Sequence, residues 1–174
     1  MTTHALRRST VLRAVRAVED GATPATELPW DAELAATYGT RDALLVALHD
    51  HWSRQLLSRI DVALELGAET PEASVAVAFR SAVRDQPGVH QLLEAEADHP
   101  ALRASRRSLL ATVAVAAGLA TFDDPASVSV AAGERLLTSL DATTDVVRVP
   151  SRLAQLLRKL WDGGPTPDPY PWAA

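Results

Sequence analysis

Apolar residues recur along this chain at intervals of three and four, the spacing of one face of an α-helix. The pattern predicts a first helix over 4–20, with Leu6, Val11, Val15 and Val18 on its stripe and Gly21 as its stop. A loop with two prolines, 22–29, leads to a short helix over 31–37 that ends at Gly39. Thr40 reads as the N-cap of a long helix reaching Leu66, with Leu45, Leu48, Trp52, Leu56, Ile60 and Ala63 on one face. Thr70 and Pro71 open the next helix, which turns Val75, Ala78, Phe79 and Val83 inward and stops before Pro87. A short helix is expected over 88–97. Another runs from Pro100 to Thr121, apolar on every side in its second half and therefore expected at the centre of the molecule. Asp124-Pro125 begins a helix to Leu140, a polar loop covers 141–149, and Pro150 begins a last helix to Asp162. Alternation of apolar and polar residues, the mark of a half-buried strand, is almost absent. The expected fold is all-α, with about eight helices and a Pro-rich tail over 163–174.

Composition adds bounds to this picture. Apolar residues make up 47% of the chain and charged ones 22%, the balance of a folded globular protein. With no cysteine, disulfides, thiolate nucleophiles and Cys-ligated zinc are excluded. The net charge of −5 gives no overall field favouring nucleic acid. The longest apolar run, Leu109 to Ala120, is too short to span a bilayer, so no membrane partner is expected. Met1 to Arg8 leads directly into a charged helical pattern, which points to a cytoplasmic protein.

Several residues bear on chemistry. Arg7, Arg8, Arg13 and Arg16 make the first helix basic, as a phosphate-contacting or simply a solvated face. His49 and His51 lie two apart and point in different directions, so they are no metal pair, although one of them suits a pocket wall beside Trp52. His90 and Glu94 share a helix face. Glu96-x-x-His99 has the spacing of half a di-iron site, but no second copy exists and Pro100 ends the helix, so no metal is expected. Neither a nucleophile elbow nor a Gly-rich phosphate loop is present, and no catalytic residue or cofactor is assigned.

Leu34 to Leu48, LAATYGTRDALLVAL, resembles the joint in tetracycline-repressor-type (TetR) regulators between the recognition helix and the long linking helix. Tyr38 stands at the second aromatic of that family's Tyr-x-x-Phe turn, Thr40 at the small residue, and Arg41-Asp42 at the basic–acidic pair, while Ala35 replaces the first aromatic. Phe79 to Leu93, FRSAVRDQPGVHQLL, is similar to the family's helix, proline turn and short helix, and His99 to Leu102 to the entry of its central helix. Upstream the chain departs from the pattern. The stretch between Val18 and Arg41 is too short for a two-helix reader, carries no Gly-Val-Ser turn, and has Pro24 and Pro29 where the first reader helix would lie.

The resemblance implies a degenerate N-terminal helical region at 1–39, a TetR-like ligand-binding and dimerisation domain at 40–162, and the tail. It implies a small-molecule-binding regulatory protein that is not a sequence-specific DNA binder on its own. An apolar ligand would meet Trp52, Phe79, Val83, Leu93, Val113 and Ala117 as walls, and Gln55, His90 and Thr112 as polar contacts. A homodimer seam would use Val128, Ala132, Leu136 and Leu140 with Leu153, Leu156, Leu157 and Leu160. Two alternatives stand beside this. One is a transcriptional regulator with a remodelled reader or a full-length relative as heterodimer partner. The other is a protein-interaction module acting through the dimer helices or the tail, whose PYPW at 169–172 suits a docking peptide.

Overall fold

In the computed structural model, residues 3–144 are described apart from 25, 68 and 69. Seven α-helices and one 3-10 turn follow one another: α1 (Thr3–Glu19), α2 (Ala32–Tyr38), α3 (Arg41–Glu65), α4 (Pro71–Asp85), α5 (Pro87–Ala95), the turn Pro100–Leu102, α6 (Arg103–Ala116) and α7 (Ala126–Thr144). No strand occurs among the described residues, and none of their helices is long and apolar enough to cross a membrane. Residues up to Asp141 form one compact unit. A second begins at Ala142, and of it only the end of α7 is described.

The helix starts follow from local chemistry. Asp31, Thr40 and Thr70 sit in extended backbone, and their side chains accept the N–H groups of Leu34, Ala43 and Ala73. The Leu34 amide, together with the Arg13 guanidinium, holds the Asp31 carboxyl below its ordinary pKa. At Gly39 and Gly67 the backbone turns to positive φ, which stops α2 and follows the end of α3.

α3 is the axis on which the other elements pack. It touches α1, α2, α4, α5, α6 and the 3-10 turn. Its Leu44, Leu45, Leu48, Trp52, Leu56 and Ile60 are buried, and each buried aliphatic side chain contributes about 1.5–3 kcal/mol. Val75, Ala78, Phe79 and Val83 of α4 meet them in the same cluster.

α1 and α2 belong to this core and do not form a separate layer. Val11, Ala14, Val15 and Val18 of α1 and Leu34 of α2 lie in the shared apolar cluster. Arg13 pairs with Asp31 at 3.0 Å and Glu33 at 3.2 Å, and Tyr38 donates its hydroxyl to the Arg7 carbonyl at 2.8 Å. Glu19 makes the longest-range tie. Its carboxylate accepts the amides of Gly88 and Val89 at 3.2 and 2.8 Å, so α1 caps the start of α5, whose own N-cap residue makes no such bond.

Three expectations need correction. Leu6 is 41% exposed, because α1 turns its side chains inward from Thr10 and Val11 onward, with Ala14 filling the seam. The central helix ends at Ala116, where the chain bends towards Gly118 at φ 72°. The apolar residues beyond are not a buried helix, and Leu119 is exposed. α7 runs past Leu140 to Thr144, so Asp141 is helical and not the start of a loop. Ala132, Leu136 and Leu140 are buried within their own compact unit, while Val128 is exposed. Leu153, Leu156, Leu157 and Leu160, the helix expected to carry them, and the tail 163–174 lie outside the described residues.

α6 and α7 approach closely at Gly133. A Cβ there would fall onto the Leu110 carbonyl, nearer than real atoms come. Only glycine permits this crossing, which sets how far apart the two helices stand.

Candidate functional site

Trp52 on α3, Phe79 on α4 and His90 on α5 are all buried and converge on one another. The Trp52 and His90 rings stack with centroids 5.5 Å apart and planes at 20°. Phe79 meets Trp52 and His90 edge-on, at 6.2 and 5.6 Å. Such geometries match ring edges to ring faces and fix the rotamers of the set.

Beside this cluster lies a cavity of about 110 Å³. Its apolar wall is completed by Leu93, Leu109, Leu110 and Leu137, and its polar residues are His49, Glu94, Arg106, Glu134, Thr138 and Asp141. Asp141 accepts from His90 Nε2 at 2.9 Å, which fixes the proton on that nitrogen, and the other ring nitrogen has no partner among the described residues. Arg106 bonds Glu94 at 3.1 Å on the partly exposed side. His49 is buried, with Nδ1 3.4 Å from Ser53 Oγ. Burial lowers its pKa, and Arg106 adds to that, against the opposite pull of Asp50 and Glu94. The indole N–H of Trp52 is fully buried and has no hydrogen-bond partner among the described residues. Native interiors rarely leave such a donor unpaired.

Of the nine residues expected to line a pocket, Trp52, Phe79, His90 and Leu93 border this cavity. Val83, Val113 and Ala117 are buried in the surrounding core without reaching it. Gln55 faces away, into a groove between α1 and α3. Thr112 is exposed and returns its hydroxyl to the Ser108 carbonyl at 2.9 Å. Sequence reasoning missed Glu94, Arg106, Glu134 and Asp141 as lining groups. The spacing of His90 and Glu94 was the one signal that bore on them.

Two larger hollows are open troughs. The groove between α1 and α3, about 750 Å³, has Leu12, Val46 and Ala47 at its base and Arg7, Arg8, Arg54, Asp50 and His51 around it. Burial lowers the pKa of His51, and Arg54 and Arg8 add to the effect. The other, about 610 Å³, lies between the 22–30 loop and α3, where Arg41 stacks over Trp30 at 5.9 Å. Neither trough holds an unpaired buried donor.

Chemically, the cavity sets an aromatic and aliphatic wall against a charged and polar rim. A carboxylate-oriented imidazole serves general bases as well as binding sites, but among the described residues no hydroxyl is in hydrogen-bond contact with His90. No group of three or more His, Asp or Glu side chains among the described residues is placed to hold a metal ion. No protein-family model matches the chain, and searches of curated proteins and of solved structures found no match either.

Proposed function

We propose that this protein is a TetR-like small-molecule sensor whose ligand occupies the cavity beside Trp52, Phe79 and His90, and that it does not read DNA by itself. The observation that carries the reading is the partly enclosed cavity walled by Trp52, Phe79 and His90, beside an indole N–H that has no partner among the described residues. A buried donor of this kind suits a site completed by a bound molecule.

The second half of the reading rests on α2. Between α1 and α3 lies a single helix of seven residues, and a helix-turn-helix needs two helices, the second free to enter the major groove. α2 is instead held against α1 by Arg13 and Tyr38. Native mass spectrometry of protein purified without denaturation tests the ligand. A co-purified small molecule that is released on unfolding supports the proposal, while a chain that binds no member of a broad compound library counts against it.

On this reading a second copy of the chain would be met by outward residues of α7, namely Val128, Ala131 and Arg135, and by Phe122 in the preceding turn, which is 93% exposed. That exposed phenylalanine equally favours the reading of a protein-interaction module.

A further inference from the structure

The groove between α1 and α3 sets positive charge around an apolar floor, in a chain whose net charge is −5. On α3 it runs from Ala43 to Ser58, about 22 Å along the helix axis. Its floor is Leu12, Val46 and Ala47, all half-buried, with Val11 beneath. Arg7, Arg8 and Arg54 stand around that floor, against the single carboxylate of Asp50.

These three guanidinium groups have no acidic partner. Arg13, Arg59 and Arg106 each meet a carboxylate across a helix seam, whereas among the described residues Arg7, Arg8 and Arg54 meet none. Arg54 Nε donates to the Asp50 carbonyl, which leaves its terminal N–H groups open. Burial first, then Arg54 and Arg8, lower the pKa of His51, so both guanidiniums act on one stretch of the groove.

We propose that this groove docks an acidic amphipathic helix of a partner protein, its apolar stripe on Leu12, Val46 and Ala47 and its carboxylates on Arg7, Arg8 and Arg54. A helix laid in a groove buries one face and leaves the other in water, as an open trough requires. Small-molecule pockets enclose most of their ligand, which this trough does not. A nucleic-acid backbone has nothing to cover the apolar floor, and the chain's net charge repels it. The site lies apart from the cavity beside Trp52 and stands whether or not that cavity binds a ligand.

Fluorescence anisotropy of the full chain with a labelled Leu/Glu peptide tests the proposal. The peptide, of about 18 residues, carries its leucines on one helical stripe. Two controls are a peptide of the same composition without the stripe and a striped Leu/Lys peptide. The striped acidic peptide should bind more tightly than either. Arg8→Glu combined with Arg54→Glu should weaken it about tenfold or more, as the loss and reversal of two ion pairs. Arg80→Glu combined with Arg84→Glu makes the same charge change on exposed positions of α4 and should leave binding within about twofold. Both pairs alter exposed side chains only, so the fold is kept. No binding of the striped acidic peptide to the parent chain overturns the proposal, as does an equal loss in the two double variants. Equal binding of the unstriped peptide overturns the role of the apolar floor. Duplex DNA that binds the parent chain, is lost in the Arg8, Arg54 double variant and outcompetes the peptide gives the groove to nucleic acid instead.

Discussion

His49 and Trp52 lie on neighbouring turns of α3 and reach the same cavity, yet they respond differently to solution conditions. Burial lowers the pKa of His49, so the folded chain takes up that proton less readily than the unfolded one. The stability linked to its neutral form is therefore complete above the ordinary value of 6.5 and is lost as pH falls through that value towards the depressed one. His51 is shifted in the same direction, again chiefly by burial. Urea midpoints should therefore drop between pH 7 and pH 5, and the drop should be shallower in His49→Gln. An unchanged slope in that variant would show that the loss arises elsewhere. Trp52 carries no titrating group.

Among the elements, α5 depends on a residue far away in sequence. Glu19→Ala should cost about 1–2 kcal/mol in chemical denaturation, the usual scale for a lost helix cap, and Glu19→Gln should lose less because one acceptor remains. At the α6–α7 crossing, Gly133→Ala forces a methyl onto the Leu110 carbonyl and should cost about 1–3 kcal/mol, measured as a fall in melting temperature. How legible these elements were depends on the locality of their causes. Starts at Asp31, Thr40, Thr70 and Pro71 and stops at Gly39 and Gly67 are written in adjacent residues, and α2, α3 and α4 agree with the pattern to within a residue or two. The end of α6 was not legible, because Ala and Leu continue beyond Gly118 and nothing in their apolarity announces the bend. The aromatic wall could be found from stripes, since Trp52 and Phe79 face inward by period alone. The charged rim could not be found this way. Glu94, Arg106 and Glu134 look like any solvated helix face until α5, α6 and α7 bring them round one hollow.

For the molecule as a whole, the first two helices share the core of the unit that contains the cavity, and a lone seven-residue α2 stands where a reader pair would be needed. With a net charge of −5, any affinity for duplex DNA should be weak and should vanish as salt rises, which mobility-shift assays across a salt series will check. A sequence-selective, salt-resistant shift by the isolated chain would overturn the proposal. Association with a second copy is open to a similarly direct test. Phe122→Ser removes the most exposed large apolar side chain on the described surface and should move the mass measured by light scattering towards that of a single chain. No change in mass would exclude this turn from self-association.

The clasp of Glu19 on α5 has a consequence for how the chain survives damage. α1 is held by its buried valines, by Arg13 and by that carboxylate, so its place does not depend on an intact peptide linkage through residues 20–30. Proteolytic nicking there should yield two pieces that separate in detergent yet migrate together on a native gel, the small fragment staying docked on its larger companion as a non-covalent complement.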